Sequence, residues 1–184
     1  MNPKLLPADI YLTDDTRFIA KFVKFLMTSP TIWHWLFGIR DEVRFYHVGL
    51  VVDENTVIEQ QTVVEYDTPQ NTIFSRKHIV YRNKKLNDMD RDLIVKLAKL
   101  DLGKKLDILL VIGKTLSWFT GIGWFTEFIQ QAEKEICVTR VAKWYCKGVD
   151  ILFGRNNWHE VTTDDIDDYC RGNPDWEIVS ANVL

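Results

Sequence analysis

Cysteine is scarce in this chain of 184 residues: Cys137, Cys146 and Cys170 are the whole supply, an odd number. That count argues against a disulfide framework and for a reducing, cytoplasmic setting. Excess positive charge is also missing. A formal net charge of −3 and a pI of about 5.8 give no bulk attraction for nucleic acid. No close His/Cys pairs occur at zinc-ligand spacing, so neither a metal site nor a cofactor is expected. A signal peptide is not expected, because Pro3 and Pro7 interrupt the start before an apolar region can develop. The most apolar stretch, Leu109 to Ile129, carries Lys114, Glu127 and three glycines. It falls short of the roughly 20 mostly apolar residues of a membrane span. Repeats, low-complexity tracts and linkers are missing as well, which leaves one domain over residues 1–184.

What is present is a soluble-type composition, 46% hydrophobic and 27% charged, with seven tryptophans that hint at an aromatic core or docking surface. Strand-like segments are expected at Ala8–Thr13, Arg44–Val52, Thr56–Tyr66, Phe74–Tyr81 and Trp176–Val183. Helices are expected over Arg17–Met27, from Asp88 or Asp90 to Leu100 with Gly103 as the stop, and from Ile136 to Lys147 with Gly148 as the stop. Asp107–Ala132 reads as mainly helical and aromatic. Thr162-Thr163-Asp164-Asp165 has a helix-capping pattern. The first helix carries Arg17, Lys21 and Lys24 opposite Phe18, Phe22 and Phe25. It reads as a helix with a solvated face, with contact to a membrane surface as the alternative.

Two segments carry chemistry. Cys137 falls in the first turn of its helix, where free N–H groups and the helix dipole favour a thiolate. Cys146 sits late in the same helix, where the dipole opposes an anion, and Cys170 reads as part of a polar turn. His47, in Phe45-Tyr46-His47-Val48-Gly49-Leu50, has the most strand-like apolar surroundings of the four histidines. A thiol nucleophile needs such an imidazole, and the imidazole needs a third group to fix its orientation.

The next strand offers Glu59, Gln60 and Gln61, and register decides among them. A two-residue turn at Glu54-Asn55 would put Gln60 on the His47 face. A three-residue turn, Asp53-Glu54-Asn55, with Asn55 left-handed, would put Gln61 opposite His47 and Glu59 one diagonal step away. The three-residue turn suits asparagine better, so Glu59 is the expected partner and Gln61 the reserve.

The order of these pieces resembles the circularly permuted branch of the NlpC-like papain-fold cysteine peptidases, which includes the YiiX-like hydrolases and the lecithin–retinol acyltransferase-like enzymes. The matching residues are Pro7-Ala8-Asp9-Ile10-Tyr11-Leu12, Tyr46-His47-Val48-Gly49-Leu50-Val51, Val57-Ile58-Glu59 and Glu135-Ile136-Cys137, with Gly103–Asp107 and Val161–Ile166 as weaker matches. The resemblance implies an α+β, papain-like fold with a central antiparallel sheet packed on helices. It also implies a thiol hydrolase acting on an amide or ester through an acyl-cysteine, with Cys137 as nucleophile, His47 as general base and Glu59 as third member.

The implied substrates are small peptides, amides of cell-wall-peptide type, or acyl groups. A lipid acyl hydrolase or acyltransferase, and a catalytically silent binding module, are the alternatives. Val138 stands where the family often has serine, and Leu106 where it often has tyrosine. The apolar stretch 109–131 reads as an insertion or lid.

Overall fold

The computed structural model describes residues 3–14, 45, 47–105 and 136–182. The expected helix at Arg17–Met27 and the apolar stretch 109–131 lie outside the described residues. Six strands form one antiparallel sheet: β1 (Ile10–Thr13), β2 (His47–Asp53), β3 (Thr56–Gln60), β4 (Val64–Asp67), β5 (His78–Asn83) and β6 (Trp176–Asn182). Their order across the sheet is β4-β3-β2-β1-β5-β6, so the first strand of the chain lies in the middle. The architecture is α+β, as expected.

Among the described residues, three α-helices accompany the sheet: α1 (Asp88–Lys99), α2 (Cys137–Val149) and α3 (Thr163–Gly172). Alternation along the strands sends Ile10, Leu12, Val48, Leu50, Ile58 and Ile79 to one face. There they pack with Ile94 and Ala98 of α1, Val141 and Tyr145 of α2, and Ile166 of α3. The opposite face holds a smaller cluster of Tyr11, Val51, Val57, Val80, Leu5 and Ile73, the last from a π-helical turn at Gln70–Phe74. Both faces of β1 and nearly all of β2 are therefore buried.

The sheet departs from the sequence reading in three places. Thr56–Tyr66 is a hairpin of two strands, β3 and β4, not one strand. The chain turns back after Gln60, and β4 pairs antiparallel with β3 from Val57–Asp67 to Gln60–Val64. Phe74 ends the π-helical turn, so β5 begins only at His78. The β2–β3 turn has two residues, Glu54-Asn55, but a bulge between Val51 and Asp53 shifts the register by one. Gly49 faces Glu59 as a three-residue turn would have required.

Helix ends follow local chemistry. Asn87 caps α1 by accepting from Asp90 N–H at 3.0 Å, while the Asp90 carboxylate accepts from Asn87 N–H at 3.3 Å. Thr162 and Asp165 form the same reciprocal pair at the start of α3. Gly148 does not stop α2. The helix ends at Asp150, in the left-handed region at φ 57°. Gly148 instead lets α2 approach α1: a β-carbon there would lie 3.0 Å from Ile94 Cγ1.

Before β1, Ala8 sits at φ 61°, a conformation natural to glycine. It is held there by an N–H bond to Val51 O at 2.9 Å and by the Tyr145 hydroxyl on its carbonyl. Asp9 follows, buried against Arg82 Nη2 at 2.7 Å and Arg91 Nη1 at 3.6 Å.

Candidate active site

The N-terminus of α2 meets the start of β2, and this junction brings together the three residues singled out in the sequence. Ile136, the residue before the helix, has no capping side chain. Thr139 covers one of the free donors, its hydroxyl accepting from Ile136 N–H at 3.0 Å. The N–H groups of Val138 and Val48 reach the Cys137 sulfur, and His47 hydrogen-bonds to it. Burial alone would push this thiol up. The His47 hydrogen bond, the positive imidazolium and the two backbone donors outweigh burial and hold Cys137 below its ordinary 9.0.

His47 is 7% exposed. Its Nε2 lies 2.8 Å from Glu59 Oε2, so Nδ1 is the nitrogen turned to the thiol. Burial opposes the imidazolium, but hydrogen bonds and charge from Cys137 and Glu59 prevail and push His47 up to about 9. Glu59 is 1% exposed. Burial would raise it, yet His47, the Gln61 amide on Oε1 and the charge of Arg76 hold it below the ordinary 4.5. Both shifts favour a thiolate on Cys137 beside an imidazolium on His47, with the Glu59 carboxylate behind the ring.

Three consecutive residues thus divide their work by alternation. Glu59 turns to His47, and Gln61 donates to Glu59. Gln60 points to the other face, where its Oε1 accepts from Arg140 Nε of α2 at 2.9 Å. That bond ties the helix that begins at Cys137 to the strand that carries Glu59.

Two further groups escaped the sequence reading. Asp101, just past α1, accepts from Trp144 Nε1 at 2.9 Å, Lys143 Nζ at 3.2 Å and Lys104 Nζ at 2.5 Å, with Arg140 Nη1 at 3.4 Å. Local sequence announces only the Lys104 contact, because Arg140, Lys143 and Trp144 lie on α2. Tyr11 lies on the His47 face of β1, its ring centroid 6.4 Å from that of His47. The other cysteines are ordinary or inert thiols. Cys146 is half-buried and pushed up by burial and by Asp150. Cys170, expected in a polar turn, is buried inside α3, and burial pushes it well above 9.0.

A solved structure of the metalloprotein YiiX from Escherichia coli O157:H7 superimposes on the whole chain, over its own whole length, with a TM-score of 0.59 and 16% identity. The likeness is one of fold. No family model and no curated protein matches the sequence. YiiX is described as a metalloprotein. In this chain, no group of three His, Cys, Asp or Glu side chains among the described residues could hold a metal ion. His47 Nε2 and Glu59 Oε2 are spent on each other. Among the described residues, no helix is long and apolar enough to cross a membrane.

Proposed function

We propose that this protein is a thiol hydrolase of the permuted papain-like type, cleaving an amide or ester through an acyl-cysteine. The observation that carries the reading is the pairing of a depressed thiol at a helix N-terminus with a raised imidazole backed by a buried carboxylate.

Cys137 Sγ attacks the substrate carbonyl carbon, and its electrons pass to the carbonyl oxygen. The Cys137 backbone N–H, in the helix's first turn, faces that oxyanion. As the intermediate collapses, His47 delivers the Nδ1 proton to the departing nitrogen or oxygen, and the C–N or C–O bond breaks. Water then attacks the thioester, giving its proton to His47, and the thiolate leaves. Glu59 keeps the ring turned, with Nε2–H donated to it throughout. The resemblance to the permuted family favours a small peptide or amide of cell-wall type as substrate, with a lipid acyl group as the alternative.

Timed iodoacetamide labelling from pH 5 to 9, with mass mapping of the alkylated cysteine, tests the reading. Cys137 should label first and well below pH 8, and Cys137→Ala should hydrolyse no activated ester or amide. A Cys137 profile centred near that of free cysteine, or full hydrolysis by the alanine variant, would overturn it.

A further inference from the structure

Tyr11 stands in β1 directly across from Gly49 of β2, and Gly49 stands directly across from Glu59 of β3. The three positions form one row on one face of the sheet, with a gap in the middle where glycine has no side chain. The Tyr11 phenol fills that gap: a β-carbon on Gly49 would fall well inside contact distance of the tyrosine hydroxyl. Cross-strand side chains start about 4.5–5.5 Å apart, so a hydroxyl seated over Gly49 is within reach of the Glu59 carboxylate.

The phenol is fully buried, and its hydroxyl has no hydrogen-bond partner in the resting fold. The Thr72 hydroxyl lies beside it, and with its proton given to Thr68 O at 2.9 Å it is left as an acceptor. A buried hydroxyl without a partner costs about 1–3 kcal/mol, so the fold bears a penalty at this position. Glu59 has spare capacity to relieve it. A carboxylate offers about four lone-pair sites, and His47 and Gln61 take one on each oxygen. Charged groups face the phenol from three other elements: Glu59 on β3, Arg76 after the π-helical turn and Asp67 on β4. Burial, and then the Glu59 charge, hold the phenol well above 10.0, so it stays protonated and able to donate.

We infer that Tyr11 is a positioning residue for the proposed chemistry, its hydroxyl donating to Glu59 as the carboxylate shifts with the changing charge on His47. The inference rests on the thiol-hydrolase reading. Tyr11 is fully buried, so a substrate arriving from solvent does not meet it. It acts through Glu59, keeping the carboxylate ionised and aimed.

The test is the pH profile of iodoacetamide labelling at Cys137, with thermal melting measured beside it, for wild type, Tyr11→Phe, Glu59→Gln and the double variant. Tyr11→Phe should melt no lower than wild type, since the resting hydroxyl has no bond to lose. Its labelling rate at pH 6 should fall on the order of 10-fold, and the acid limb of the profile should move to higher pH, as a less stabilised carboxylate protonates more easily. In the Glu59→Gln background the same substitution should change nothing further. A Tyr11→Phe profile matching wild type overturns the role while leaving the hydrolase reading intact. So does a drop in rate that tracks lost thermal stability with no movement of the acid limb. A wild-type thiol with an ordinary profile overturns both.

Discussion

The imidazole of His47 is worth most when seen as one half of a charge pair that exists only in the folded chain. Folding raises His47 to about 9, so its contribution to stability is complete below about pH 6.5 and fades as the pH climbs through 9. Folding lowers Glu59, so its share is present above about pH 4.5 and is lost below that. The stability gap between wild type and Glu59→Gln should be widest near pH 5–6.5 and narrow towards pH 9, measured by urea midpoints. The same substitution should slow labelling of Cys137 at pH 6 by about 10–100-fold, since each pKa unit of lost imidazolium stabilisation is about tenfold. An unchanged rate would mean that Glu59 does not support the imidazolium.

Cys137, His47 and Glu59 were legible in the sequence because each follows from a local rule: a helix start, strand alternation and turn chemistry. The register came out as expected by a different route, since a bulge before Asp53 does the work assigned to a longer turn. Tyr11 was not legible. Its relation to Glu59 depends on β1 lying beside β2, which no local pattern encodes.

Among the elements, α2 carries the most responsibility, and it is held from three sides. Gln60 grips Arg140, Ile94 meets Gly148, and Asp101 gathers the side chains of Lys143 and Trp144. Asp101 is buried, yet its hydrogen bonds from Lys104, Trp144 and Lys143 overcome desolvation and hold it at about 2. A carboxylate lowered on folding stabilises above its ordinary 3.8, and the benefit disappears as pH falls towards 2. Asp101→Asn should therefore cost about 2 kcal/mol near neutral pH and much less near pH 2.5. Denaturant titration at the two pH values checks it.

Thr162→Ala at the α3 cap should cost about 1 kcal/mol, read the same way. The capping boxes of α1 and α3 have short-range signatures, so those starts could be placed from sequence. The end of α2 could not, because Gly148 signals a stop locally and is used for close helix packing. Phe74 likewise reads as strand by residue type, but it belongs to the π-helical turn that covers the smaller cluster.

At the scale of the molecule, the mixture of strands and helices was foreseeable from the number and type of segments, the central antiparallel sheet from the resemblance to the permuted papain-fold family, and the strand order from neither. Placing β1 between β2 and β5 joins residues separated by more than 65 positions, as in the Ile10–Tyr81 pair. The arrangement predicts a gradient of protection. Amides of β1 and β2, paired on both sides and buried, should exchange slowest in hydrogen-exchange measurements, and those of β4 and β6 at the edges fastest. Uniform exchange across the six strands would contradict it.

The acidity of Cys137 is itself a product of this assembly, because the imidazole and one of the amides that lower it come from β2, about 90 residues upstream. Two thiols therefore report on integrity with opposite signs. As the chain denatures at pH 6, Cys137 should become less reactive, while Cys170, freed from α3, becomes more so. The ratio of the two labels is a built-in gauge of how much of the population is folded.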